Sequence, residues 1–158
     1  MSGKIHIELD ILPPKSTGQS GKKLGTINGH AMLYKTKEAR ALENMLYGLL
    51  YPYRPEKPLD KAITLRLYYW YPYPASWSKK KRESGLLFPK TTKPDYDNSI
   101  KQMQDVLTKL QYWTDDARIF DGGLKKFYAP CGKVIINMYE ESDNIGYLPD
   151  SEMVGKIF

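Results

Sequence analysis

The stretch KPDYDNSIKQMQDVLTKLQYWTDD, Lys93 to Asp116, holds five aspartates in a chain whose formal charge is +6. Asp95 and Asp97 open it, Asp105 lies inside it, and Asp115 and Asp116 close it, with Lys101 four residues beyond Asp97. Carboxylate oxygens supplied by two separate elements are a ligand set that a hard cation such as Mg²⁺ accepts, its other positions going to water and substrate phosphate. A lysine one helical turn beyond Asp97 shares its helix face. Such a set is a candidate catalytic metal site.

Simpler readings of the same residues stand beside this one. Asp and Asn are preferred helix N-caps, and carboxylates in a first turn are stabilised by the positive end of the helix dipole. Lys101 has the spacing to pair with Asp97 or Asp105. A calcium loop starting at Asp95 is excluded, because its sixth and twelfth positions would be Ile100 and Val106 rather than Gly and Glu. Capping at Asp95 leaves the Asp115–Asp116 pair unexplained. If that pair enters a strand directly, only one of the two faces the site, since neighbouring strand side chains point to opposite faces.

The elements that must position these groups are legible from periodicity. KIHIELDIL alternates Ile5, Ile7, Leu9 and Ile11 against polar residues and predicts a strand ended by Pro13 and Pro14. KSTGQSGKKLG reads as a mobile basic loop, and Asn28-Gly29 marks a hairpin turn. Ala39, Leu42, Met45, Leu46, Leu49 and Leu50 recur at helical spacing up to Pro52. AITLRLYYWY is a strand with Ile63, Leu65, Leu67 and Tyr69 on one face. A long Pro-rich basic loop follows. Ile100, Met103, Leu107 and Leu110 then form the stripe of a second helix, and RIFDGGLKKFY, interrupted at Gly122 and Gly123, and GKVIINMYE are closing strands. Without regular βαβ alternation, this order predicts an α+β two-layer domain, a mixed or antiparallel sheet packed against helices. Its expected extent is residues 1–140, with an acidic, fraying tail over 141–158.

With these elements in place, the segment Lys93 to Tyr128 resembles the signature of the RusA-type Holliday junction resolvases, in which K-P-D-x-D-N-x-x-K-x-x-x-D leads to a D-D pair. The likeness is looser over the first strand ending LPPK, the early helix and the Pro-rich basic loop. LTKLQYW departs from the pattern in lacking the Asn-Gly often found after the second helix. The resemblance implies that Asp95, Asp97 and Asp116 are catalytic and hold a divalent metal, Mg²⁺ with Mn²⁺ as its substitute, and that Lys101 is the essential lysine. Asp115 becomes a neighbour that helps or shapes the site, and Asn98 steadies a carboxylate or the turn. It further implies a homodimer cutting four-way DNA junctions, in a family common in prophages. The expectation rests on the acid groups at 95, 97 and 116 reaching a common cation on a face open to DNA.

Composition agrees with an anionic partner. Lys15, Lys79, Lys80, Lys81, Arg82, Lys90, Lys93, Lys125 and Lys126 are the expected phosphate contacts, with affinity falling as salt rises. Tyr71, Tyr73, Trp77 and Phe88, interleaved with them, are candidates for base stacking or for ordinary packing. A single cysteine, Cys131, excludes an internal disulfide, and His6 and His30 lack the partners zinc needs. No apolar run approaches the roughly 20 residues of a membrane helix, and no apolar leader follows Met1, so the expected location is cytoplasmic. A non-catalytic branched-DNA-binding module and a nuclease of broader flap specificity are the rival readings.

Overall fold

The computed structural model describes residues 3–15, 22–150 and 152. In chain order its elements are β1 (Lys4–Leu9), β2 (Lys22–Ile27), β3 (His30–Lys35), α1 (Lys37–Leu50), β4 (Ala62–Pro72), α2 (Lys79–Arg82), β5 (Phe88–Pro89), α3 (Tyr96–Lys109), β6 (Ile119–Ala129) and β7 (Lys133–Glu141). Short 3₁₀ turns cover Tyr51–Tyr53 and Asp116–Arg118. The main sheet has the order β1-β7-β4-β6-β5. Only β4 and β6 run parallel, so the sheet is mixed and the domain α+β, as the element order predicted.

Alternation decides which side of the sheet is covered. Ile63, Leu65, Leu67 and Tyr69 of β4 are buried together with Val134, Ile136 and Met138 of β7. They form one core with Leu46 and Leu50 of α1 and with Met103, Val106 and Leu107 of α3. The α1 stripe is narrower than its periodicity suggested, for Met45 stays 44% exposed. Thr36 starts α1 by accepting from the Ala39 N–H at 3.2 Å, and Asn28 and Gly29, both at positive φ, close the β2–β3 hairpin.

Three expectations are corrected. Lys22 to Gly25, read as loop, pair in β2, while residues 16–21 of that segment lie outside the described ones. Gly122 and Gly123 do not interrupt β6, which pairs with β4 from Ile119 to Ala129 and shifts register only between its Ile119 and Asp121 partners. The Pro-rich segment is partly structured, since it contains α2 and β5. In the acidic tail, Tyr147 lies against Phe120, ring centroids 6.3 Å apart, and its hydroxyl donates to Glu141; residues 151 and 153–158 lie outside the described ones.

The turn after α3 is built on an unusual cap. The Gln111 and Tyr112 amides return to the Thr108 and Leu107 carbonyls at 3.0 and 3.1 Å, the paired bonds of a Schellman motif. That motif requires a left-handed residue, and here it is Gln111, at φ 60°. Tyr112 and Trp113 then plunge into the core. The Tyr112 hydroxyl donates to the Leu50 carbonyl at 2.5 Å, and Leu59 brackets the pair with backbone bonds of 2.9 Å to Tyr112 and Thr114. The Asp115–Asp116 pair therefore leaves from an anchored point.

Candidate active site

Asp95 occupies the N-cap position of α3, where its carbonyl accepts from the Ser99 N–H at 3.0 Å. Its side chain, however, makes no capping bond; the carboxylate pairs with Lys93 at 2.6 Å and remains 41% exposed. A capping role for that carboxylate is thus not realised. Asp97 follows in the first turn, exposed, where the helix dipole favours a negative charge. Lys101 is exposed one turn further along, and the ion pair that its spacing allowed with Asp97 or Asp105 does not form among the described residues. Asn98, half-buried, stands between them.

The second acidic pair departs from the strand arrangement expected for it. Asp115 caps the 3₁₀ turn, accepting from the Ala117 N–H at 2.8 Å. That bond, then contact with the Asp116 side chain, holds the Asp115 carboxyl below its ordinary range. Asp116 is the first residue of the turn and is exposed. A turn, and not strand alternation, divides the two: one carboxylate closes the backbone and the other is left to solvent. All the acid groups of the expected site are therefore reachable from outside, but among the described residues no three His, Cys, Asp or Glu side chains gather closely enough to hold an ion.

Around the head of α3 the structure assembles basic and aromatic groups, and it separates some that sequence placed together. Lys125 and Lys126 stand on opposite faces of β6. Lys126 donates to the carbonyls of Thr92 and Pro94 at 2.8 and 2.6 Å; burial, then the nearby Lys90 charge, pushes its ammonium pKa down. Lys90 donates to Thr92 Oγ1 at 2.5 Å and lies over the rings of Tyr128 and Tyr71. Tyr128, not singled out from the sequence, bonds Thr92, and that bond together with Lys90 lowers its hydroxyl pKa.

The four-residue α2 carries Lys79, Lys80, Lys81 and Arg82, capped by Ser78. Lys81 sits 3.6 Å from the Trp77 ring centroid and Arg82 Nε donates to the Trp77 carbonyl at 3.0 Å. Trp77 in turn packs on Tyr73, Phe88 and Tyr128 with centroids 5.0–5.5 Å apart. These rings are committed to one another and to Lys81, which favours the packing alternative over base stacking. The Lys15 carbonyl accepts from Gln102 Nε2 of α3 at 3.5 Å.

On the opposite face, Arg66 grips Asp121 with two bonds of 2.8 and 2.7 Å, its charge helping hold that carboxyl low. Arg66, Tyr68, Tyr96 and Lys125 line a pocket of about 360 Å³ at the first residue of α3. Only the polar positions of the β4 alternation hinted at Arg66 and Tyr68. His6 bonds Asn137 and Glu8 on this face. No described helix is long and apolar enough to cross a membrane.

Comparison with known proteins bears directly on this arrangement. The family model for endodeoxyribonuclease RusA matches residues 12–139, which include both acidic groups and every element from β2 to β6. The chain is 32% identical over 120 residues to the crossover junction endodeoxyribonuclease rusA of Lactococcus phage r1t, covering 75% of this chain and 83% of that relative. It is 31% identical over 128 residues to the uncharacterized protein YqaN of Bacillus subtilis (strain 168), covering 77% of this chain and 89% of that one. The chain belongs to the RusA family of endodeoxyribonucleases.

Proposed function

We propose that this enzyme resolves four-way DNA junctions by paired, symmetric cleavage, acting as a homodimer in the cytoplasm with Mg²⁺, or Mn²⁺ in its place. The observation that carries the reading is the Asp95 carboxylate, which sits at a helix head without capping it and faces solvent beside exposed Asp97. An acid in that position serves no helix amide, so a ligand has only the exposed Lys93 ammonium to displace. Likeness to a phage crossover junction endodeoxyribonuclease points the same way.

Three oxygen-donor side chains, Asp95, Asp97 and Asp116, have the chemistry a hard divalent cation requires. As placed they do not close around one, so loading needs Asp95 to exchange its Lys93 partner and the 3₁₀ turn to present Asp116 toward the α3 head. A bound ion would supply charge neutralisation at phosphate and a more acidic water. Lys101, one turn past Asp97 and without an ion-pair partner among the described residues, would place an ammonium against charge developing on the phosphate oxygens. Asn98 and Asp115 would brace the two acidic elements. Lys79, Lys80, Lys90 and Lys93 would meet the phosphate backbone.

A four-way junction has approximate two-fold symmetry, and resolution requires nicks in opposing strands. A C₂ dimer sets two sites in matching relation to it. The test incubates synthetic four-way junctions, Y-forms and linear duplex with Mg²⁺ or Mn²⁺ and compares the wild type with Asp97→Asn. Junction-selective cleavage by the wild type alone supports the reading. Binding by both with cleavage by neither identifies a binding module, and equal cutting of Y-forms identifies a broader branched-DNA nuclease.

A further inference from the structure

We infer that Lys126 is a positioning residue for Asp95, and that it serves the site by fastening the loop in front of α3 and not by contacting DNA. The inference rests on the active-site reading above. Register pairs Leu124, Lys126 and Tyr128 of β6 with Leu67, Tyr69 and Tyr71 of β4, so these residues share the covered face of the sheet. Leu67 and Tyr69 are fully buried, and Lys126 beside them is partly so. A lysine there has no route to solvent on the open face, unlike Lys125 next to it.

What it reaches is backbone. Its ammonium donates to the Thr92 carbonyl at 2.8 Å and the Pro94 carbonyl at 2.6 Å, while its own carbonyl accepts from the Lys90 N–H at 2.9 Å. One residue thus holds the loop at three alternate positions, 90, 92 and 94. An ammonium has three donors, and two are committed to peptide oxygens, that of Thr92 at the surface and that of Pro94 partly buried. Pro94 is bonded directly to Asp95, whose extended backbone, φ −66° and ψ 147°, turns the chain into α3. Tying the Pro94 carbonyl to β6 therefore sets the origin from which the Asp95 carboxylate projects. Lys90 and Lys93 on the same loop differ, for among the described residues their ammoniums meet only side chains: Thr92, Tyr71 and Tyr128 for Lys90, and Asp95 for Lys93.

The discriminating variants are Lys126→Met, which keeps the stem and removes the donors, and Lys126→Arg, which can still donate to two carbonyls. Junction cleavage at saturating DNA is expected to fall about tenfold to a hundredfold in Lys126→Met, the cost of a small misplacement at a reacting centre, and to recover in part in Lys126→Arg. KM, and junction affinity in EDTA with its dependence on salt, are expected to match the wild type. Metal-free affinity that weakens, with a log–log salt slope shallower by about one, would instead mark a phosphate contact and overturn the inference. So would an unchanged turnover in Lys126→Met.

Should Lys126→Met fail to fold, ¹⁵N NMR of the Lys126 ammonium in the wild type decides. Slow proton exchange that does not change on titration with junction supports the clamp, and rapid exchange or a shift on binding overturns it. That measurement is independent of cleavage, so a wild type that cuts no junction defeats the functional reading while leaving the clamp open to judgement.

Discussion

Glu43 of α1 and Lys109 in the last turn of α3 meet at 2.7 Å, a bond that ties the two helices together across the covered face of the sheet. Glu43 also receives Lys35 at 2.6 Å and the Tyr47 hydroxyl at 2.6 Å. Burial pushes the Glu43 carboxyl up, but the bonds from Lys109, Lys35 and Tyr47 outweigh it and bring its pKa down from 4.5 to about 2. A depressed carboxylate contributes stability that is fully present above its unfolded pKa and lost as pH falls through the folded one. The contribution should therefore fade between pH 4.5 and about 2. Urea denaturation is expected to show Glu43→Gln less stable than the parent by about 1–2 kcal/mol at pH 7, with the gap closing across that acid window. A gap independent of pH would refute the assignment.

Gln111 carries left-handed backbone at the end of α3, a conformation that costs a non-glycine residue about 1 kcal/mol. Gln111→Gly should relieve that strain, offset in part by the greater freedom of glycine in the unfolded chain. A net gain of about 0.5 kcal/mol, seen as a higher urea midpoint at unchanged slope, is the expected outcome. A loss of stability would show that the Gln111 side chain contributes more than its backbone costs.

Asp115 and Asp116 should separate cleanly by mutation. Asp116→Asn is expected to lower junction cleavage at least about a hundredfold, as loss of a group acting on the reacting phosphate does, while junction binding persists. Asp115→Asn keeps a capping oxygen for the Ala117 amide and should cut within a few-fold of the wild type. Reversed effects in single-turnover assays would exchange the two roles.

Magnesium should raise the melting temperature of the wild type even without DNA. A ligand that binds only the folded state at about a hundred times its Kd contributes about 2.7 kcal/mol, equivalent to several degrees for a domain of this size. Differential scanning calorimetry with Mg²⁺ and with EDTA measures it, and Asp97→Asn should blunt the shift. Full activity with no thermal shift would argue against the carboxylate set.

The basic run on α2 should divide likewise. Lys80, exposed and without a partner among the described residues, is expected to carry a phosphate contact, so Lys80→Ala should reduce the log–log salt slope of junction binding by about one. Lys81 is held over Trp77, and Trp77→Ala should weaken binding more than any single lysine in the run by releasing the turn that presents them. Equal slopes for Lys80→Ala and wild type would place the DNA elsewhere.

Local chemistry made much of this domain readable in advance. Alternation exposed the buried faces of β1 and β4, Asn28-Gly29 announced the hairpin, and the helical spacing of Ala39 to Leu50 announced α1. The spacing of Asp95, Asp97, Lys101 and Asp116 identified the family before any coordinates did. These signals persist because they depend on φ/ψ preference and on the period of a single element.

What the chain alone left undetermined lies between elements. The parallel pairing of β4 with β6 carries β6 unbroken through Gly122 and Gly123, because a well-paired neighbour overrides weak strand propensity. The same pairing sends Lys125 and Lys126 to opposite faces and makes one of them a backbone clamp. A turn, invisible to periodicity, gives Asp115 to the cap and leaves Asp116 to solvent. The residue types and spacings determined which groups could take part in the chemistry; the packing of β6 against β4 and of the α3 head against β6 decided which are free to do so, since a side chain's availability depends on the neighbours that claim its hydrogen bonds.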